Sequence, residues 1–156
     1  MKWNPKHDLV PLIVMILYVI LSAYFWSTLP DTVPTHFGVN GTPDDYSSKT
    51  FLVLLNLGVI VLLYLLLTFL PHIDPFWKKI EKRYNVFLIF RDVLLAFFLF
   101  TGIVTFVSAA EGRFQMEIYG IGFGLLFVLL GNYLPRIPRN FFFGVRSPWT
   151  LASDEV

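Results

Sequence analysis

Four long apolar runs constrain the fold of this chain more than any other feature. A helix that crosses a membrane needs about 20 mainly apolar residues, and the segments 9–29, 51–70, 86–110 and 118–134 fit that requirement. Apolar residues make up 56% of the chain and charged residues only 15%, so a soluble fold would lack the polar sequence needed to cover four such helices. We predict a single all-α domain over residues 1–156, a polytopic integral membrane protein with a four-helix transmembrane bundle and an ordered extracytoplasmic loop.

The distribution of positive charge predicts the orientation of this bundle. Lysine and arginine are in excess in the cytoplasmic segments of membrane proteins. The N-terminus (1–8), the connection 71–85 and the tail 135–156 are basic, whereas the two other connections, one of them 30–50, carry mostly carboxylates. We therefore expect both termini and the basic connection in the cytoplasm and the loop 30–50 outside. The basic residues are Lys2, Lys6, Lys78, Lys79, Lys82, Arg83, Arg136, Arg139 and Arg146.

The loop 30–50 is the polar segment in which specific recognition is most readily placed. Its prolines stiffen the backbone, and Asn40-Gly41 is a strong signal for a tight turn. We therefore expect an ordered loop and not a flexible tether. Ser47 or Ser48 is a candidate N-cap for the helix that follows.

His36, Asp44 and Asp45 raise the question of a metal site in this loop. Imidazole and carboxylate groups that converge across the turn could hold a cation. Alternatively, the two carboxylates make turn and cap hydrogen bonds while His36 is a packed polar group, and this second interpretation is favoured. His36, Asp44 and Ser47 are also residue types of a hydrolytic triad, but such triples are common by chance in polar loops. We predict no cofactor and no metal, with His36 and Asp44 as the weak candidates for ligands.

Two charged residues and two amides lie inside the apolar runs: Arg91, Asp92, Asn56 and Asn132. A charge in the membrane core costs roughly 2.5–3.5 kcal/mol on insertion scales, so Arg91 and Asp92 indicate either structural ion pairing or a part in signalling or transport. Helix neighbours point about 100° apart. We therefore expect Asp92 to pair with another helix or with a loop, for example a tail arginine, and the Arg91 side chain is long enough to extend to the membrane surface. Asn56 is expected to bond to a neighbouring helix.

Several helix ends and contacts are also predicted. Asp8 is a candidate N-cap for the first helix. The residues from Phe76 to Phe87 alternate between apolar and basic at helical spacing, which predicts a short interfacial helix, continuous with the third span, that is attracted to anionic lipid headgroups. Gly120 and Gly124 form a small-xxx-small pair that permits a close helix contact, within the bundle or between protomers.

The tail, GNYLPRIPRNFFFGVRSPWTLASDEV, is too rich in proline to continue the fourth helix. It closely resembles the signature of the SdpI family of bacterial membrane proteins, through Asn140, Gly144, Arg146, Pro148, Trp149 and Thr150. Ser153 is typical of a helix N-cap that is followed by acidic residues. Because this helix start stands at the end of the sequence, we expect the natural protein to continue or to end atypically. The loop LPDTVPTHFGVNGTPDDYSSK resembles the domain of unknown function that precedes that signature, and its motif residues are Pro34, His36, Gly41, Pro43, Asp44 and Lys49.

This resemblance implies immunity to a secreted, membrane-active peptide toxin in a bacterial plasma membrane. It also implies signalling, with a transcriptional repressor held at the cytoplasmic side, and no direct contact with nucleic acid. We expect the toxin to meet the outer loop at His36, Asn40, Gly41, Pro43, Asp44 and Lys49. The alternatives are a small transporter or a metal-dependent membrane enzyme. A transporter is disfavoured because the spans hold few polar residues. An enzyme is not predicted, because the chain has only three histidines, His7, His36 and His72, and they do not all share one side.

Overall fold

The computed structural model describes residues 5–137 and 140–142 of the chain. Four of its helices are long and apolar enough to cross a membrane, which confirms the predicted four-helix architecture and indicates a multi-pass membrane protein. A fifth helix is short and lies between the second and third spans. In chain order the helices are α1 (Leu9–Trp26), α2 (Lys49–Phe69), α3 (Trp77–Glu81), α4 (Tyr84–Glu111) and α5 (Met116–Tyr133). Single turns of 3-10 helix cover Pro5–Asp8, Leu70–Ile73 and Leu134–Arg136.

The ordered loop between α1 and α2 is a small β-hairpin, which the all-α prediction did not include. Strands β1 (Thr32–Phe37) and β2 (Pro43–Ser48) pair in antiparallel fashion, with irregularities in the register around His36. We call this side of the bundle, residues 27–48 and 112–115, the hairpin end. The opposite side, residues 5–8, 70–83, 134–137 and 140–142, is the terminal end.

Helix α4 lies at the centre of the bundle and contacts α1, α2 and α5. In the most apolar 18-residue stretch of α4, 33% of the residues are buried, compared with 11% in the corresponding stretches of the spans formed by α2 and α5. The core combines side chains of the first three spans with Leu29 and Val33, which lie before and within β1. Its other buried members are Val14, Tyr18, Leu52, Ile60, Leu95, Phe106 and Ala109. The hairpin is thus packed onto the bundle by its own apolar side chains.

The outward faces of the spans are strongly apolar. Leu54 and Leu62 on α2 are 61% and 55% exposed, and Ile121 and Phe127 on α5 are 74% and 68% exposed. Water would penalise so much contiguous apolar surface, whereas hydrocarbon does not. Lipid is therefore the solvent that these faces require.

Two glycines allow α4 to approach its neighbours closely. A Cβ atom at Gly102 would lie 3.2 Å from Cε2 of Tyr18 on α1, and one at Gly122 would lie 2.2 Å from Cε1 of Phe100. Positions Gly120 and Gly124 have nothing within 4 Å of such an atom. The prediction of a contact through this pair inside the bundle is therefore wrong, because α5 presents Gly122 to α4 instead.

Two further predictions about helix ends are resolved by the hydrogen bonds. The Ser48 hydroxyl accepts from the Phe51 N–H at 3.2 Å and caps α2. Asp8 occupies the N-cap position of α1 but makes no capping bond, because its carboxylate is engaged elsewhere. Helix α3 also does not continue into α4, since it ends at Glu81 and a turn at Lys82 and Arg83 separates the two.

Candidate functional site

The tip of the hairpin is a tight turn built by Asn40 and Gly41. The Gly41 N–H donates to the Gly38 carbonyl at 2.9 Å, and Gly41 has a φ of 76°, a left-handed conformation that glycine adopts without a steric penalty. The Asn40 side-chain oxygen accepts from the hydroxyl of Thr42 at 2.7 Å. Both residues therefore shape the turn, and Val39 at its apex is fully exposed.

His36 and Asp44 face each other across the two strands. Nδ1 of His36 lies 2.5 Å from Oδ1 of Asp44, and both side chains are largely exposed. Asp45 does not join them, because its carboxylate accepts from the Tyr46 N–H at 2.8 Å. Among residues 5–137 and 140–142 no three His, Cys, Asp or Glu side chains are grouped as metal ligands. The arrangement is an exposed hydrogen-bonded pair of side chains that could meet a polar or charged partner.

An aromatic stack joins the hairpin to the connection between α4 and α5. The Phe114 ring lies 5.5 Å from that of Phe37 on β1 and stacks on Tyr119 of α5 at 4.9 Å. The Phe114 N–H also donates to the Gly41 carbonyl at 3.4 Å. Tyr119 in turn shares a hydrogen bond of 2.7 Å with the Thr105 hydroxyl on α4. The hairpin is therefore coupled to both of the last two spans.

Lys49 fastens the base of the hairpin. Its Nζ lies 3.0 Å from the Asp31 carboxylate and 5.1 Å above the Trp26 ring, and its side chain is only 19% exposed. The Lys49 N–H also donates to the Asp31 carbonyl at 3.0 Å. Pro43, the remaining predicted loop residue, begins β2 opposite Phe37.

At the terminal end, Arg91 is the centre of a buried network. Its side chain is 1% exposed, Nε donates to Asp92 at 3.0 Å, and Nη1 donates to Asp8 at 3.0 Å and to Thr68 at 3.1 Å. Nη2 donates to the His7 carbonyl. One guanidinium thus connects α4 with α2 and with the turn that precedes α1.

This network contradicts two predictions. Asp92 pairs with Arg91 and not with another helix or a loop. The argument from angular separation failed because an arginine side chain is long and its planar fork can turn back to an adjacent residue. Asp8 binds Arg91 and does not cap α1.

The two amides inside the spans bond within their own helices. Asn56 donates to the Leu52 carbonyl and Asn132 to the Val128 carbonyl, each at 2.9 Å. The predicted bond from Asn56 to a neighbouring helix is therefore wrong. Each side-chain amide thus donates to a carbonyl one turn earlier in its own helix, as polar residues in membrane helices often do.

The start of the tail is held against the connection between α2 and α3. Asp74 is 4% exposed, and its two oxygens accept from the Phe76 N–H at 2.8 Å and from the Phe141 N–H at 2.6 Å. Asn140 is buried beside this bond. The other signature residues lie outside the residues that the structure describes, namely Gly144, Arg146, Pro148, Trp149 and Thr150, as does Ser153.

Sequence reasoning did not identify Phe114, Asp74 or the role of Asp8. Phe114 is one of 17 phenylalanines, and only its place between the polar residues Arg113 and Gln115 sets it apart. Asp74 lies between Pro71 and Pro75, a pattern that indicates only a turn. Their partners are distant in sequence, as for Asp8 and Arg91, which are 83 residues apart.

Similarity to known proteins was found for both the hairpin region and the whole chain. Residues 13–61, from α1 through the hairpin into α2, match the family model described as "Domain of unknown function (DUF1648)". Over 151 residues the chain is 23% identical to "Immunity protein SdpI" of Bacillus subtilis, and the match covers 97% of this chain and 70% of that protein. The resemblance to the SdpI family is confirmed.

The similarity to SdpI takes in both ends of the bundle, since it leaves out only 3% of the chain. It is a similarity to an immunity protein and not to a family of enzymes. A shorter match, 42% identical over 48 residues, relates the chain to an uncharacterized protein of Archaeoglobus fulgidus and covers 31% of this chain and 25% of that protein. No solved structure matches the chain.

Proposed function

We propose that this chain protects a bacterial cell from a secreted, membrane-active peptide. The observation that carries the proposal is the similarity to an immunity protein along 97% of the chain. The proposed site of recognition is the hairpin, because it is polar, exposed at its tip and held in one position by the Phe114 stack and by Lys49. A preordered loop binds a partner without a large entropic cost of ordering.

The proposed orientation places the hairpin outside and the terminal end in the cytoplasm. Its basis is charge: the terminal end carries Lys78, Lys79, Lys82, Arg83 and Arg136, whereas the hairpin end carries Asp31, Asp44 and Asp45 against Arg113. A secreted peptide would then reach His36 and Asp44 directly. A cytoplasmic partner, such as a transcriptional repressor, would meet the terminal end and the tail.

The orientation is tested by cysteine labelling, because the chain has no cysteine of its own. A single cysteine at Val39→Cys is expected to react in intact cells with a maleimide that cannot cross membranes. A single cysteine at Lys78→Cys is expected to react only after the cells are opened. The reverse pattern would refute the orientation.

Protection is tested by expressing the chain in a peptide-sensitive bacterium and measuring survival in the presence of the peptide. Wild-type protein is expected to raise the tolerated concentration, and Asp44→Ala is expected to lower it again at an equal membrane level. Asp45→Ala is the matched control, since this carboxylate lies next along the same strand but accepts from the Tyr46 N–H and is not hydrogen-bonded to His36.

Equal losses for the two variants would show that only the charge of the hairpin matters. Full protection by Asp44→Ala would show that the hydrogen-bonded pair of His36 and Asp44 is not needed for recognition of the peptide. If the wild-type protein gave no protection against secreted, membrane-active peptides of its own genus, that result would contradict the proposed immunity function.

A further inference from the structure

Two separate connections meet at the terminal end and are fastened to each other. The bond from the Phe141 N–H to Asp74 joins residues 67 positions apart. Nη1 of Arg83, just before α4, lies within 3.5 Å of the carbonyl oxygen of Arg136, just after α5. The Arg83 guanidinium therefore lies against the backbone of Arg136, although the two residues are far apart in sequence.

The surface around these arginines is strongly and unevenly charged. Lys78, Lys82, Arg83 and Arg136 are all exposed, and Glu81 is the exposed carboxylate among them. Within the described ranges, none of the ion pairs joins Arg83 or Arg136 to a carboxylate. Like charges held close together repel each other, and an anion bound between them would offset that cost.

The position of this surface along the membrane normal is set by its neighbours. Arg83 immediately precedes a spanning helix and Arg136 ends the 3-10 turn that follows another. The Arg136 guanidinium lies 5.4 Å above the Tyr133 ring, and α3, which precedes Arg83 in the chain, begins with the half-buried Trp77. Tyrosine and tryptophan concentrate at the level of the lipid headgroups. The cations are thus held where lipid phosphates lie.

We propose that Arg83 and Arg136 form a site for the headgroup of an anionic phospholipid. The planar fork of arginine matches phosphate oxygens in a bidentate arrangement that lysine does not provide. Lys78 and Lys82 add to the local positive potential without being required for the fork. The site does not depend on a role in immunity, because it needs only a bilayer with anionic lipid.

The experiment measures lipid binding to the purified full chain in neutral detergent by native mass spectrometry. Phosphatidylglycerol is compared with phosphatidylcholine, which has no net charge, and with glycerol phosphate, which is the headgroup without its chains. Each basic residue near an anionic surface contributes about fivefold in affinity. The double variant R83Q/R136Q is therefore expected to bind phosphatidylglycerol about 25-fold more weakly, with binding of phosphatidylcholine unchanged.

The matched control is R113Q, which removes an exposed arginine at the hairpin end. It is expected to bind phosphatidylglycerol as the wild type does, and an equal loss would show that total charge alone governs binding. Equal wild-type affinity for the two lipids would overturn the proposal, and binding of glycerol phosphate as tight as that of phosphatidylglycerol would assign the site to soluble phosphates. If R83Q/R136Q does not fold, the two single variants carry the same test, each with a loss of about fivefold.

Discussion

Removal of the guanidinium at Arg91 is the most informative perturbation of the bundle. Arg91→Met keeps an unbranched apolar stem in the same space but leaves the carboxylates of Asp8 and Asp92 without their shared cation. It also leaves the Thr68 hydroxyl and the His7 carbonyl without their donors. We expect a large loss of stability, although Arg91 is not among the residues that are predicted to meet the toxin.

The size of the effect follows from burial. Arg91 is 1% exposed, and its two carboxylate partners are 18% and 22% exposed. Breaking a buried ion pair by removing one partner costs about 3–5 kcal/mol, because the remaining charge is buried without compensation. Replacement of all the charged residues of such a group by uncharged ones often changes the stability little. The triple variant D8N/R91M/D92N is therefore expected to recover most of the stability that R91M loses.

The assay is reversible unfolding in mixed micelles, followed by circular dichroism. The control is Arg113→Met, whose guanidinium is 72% exposed and paired with Glu111. An exposed pair contributes at most about 1 kcal/mol, so this variant is expected to stay close to the wild type. A loss of less than about 1 kcal/mol for R91M, or a triple variant no more stable than R91M, would refute the reasoning.

Three smaller perturbations test the packing and the turn with the same assay. Gly122→Ala places a methyl group 2.2 Å from Phe100 Cε1 and is expected to cost about 1–3 kcal/mol. Gly124→Ala meets nothing within 4 Å and serves as its control, so that an equal loss would contradict the proposed contact. Gly41→Ala requires a φ of 76° from an L-residue and is expected to cost roughly 1–2 kcal/mol and to speed proteolysis in the hairpin, whereas unchanged proteolysis would show that the turn tolerates a side chain. Tyr18→Phe loses a hydrogen bond of 2.9 Å to a carbonyl of α2 and is expected to cost about 1 kcal/mol, and no change would mean that this bond contributes nothing net.

The polar residues of the spans show where prediction from sequence succeeded and where it did not. A charge in an apolar run is conspicuous, so Arg91 and Asp92 were identified at once. Their partners were not, because the choice between Asp92, Asp8 and a tail arginine depends on which helix ends meet. Asn56 likewise forms its hydrogen bond within its own helix, since a carbonyl one turn away is always within reach.

The sequence by itself determined that the chain has four helices able to cross a membrane, because the length and apolarity of such a helix are properties of each segment alone. It also determined the tight turn at Asn40-Gly41, since only certain residues adopt that backbone conformation. Tertiary structure alone decided that Phe114 holds the hairpin, that Asp74 holds the tail and that Asp8 reaches Arg91. These contacts join residues far apart in the chain, and no local pattern records which surfaces will meet when the helices pack.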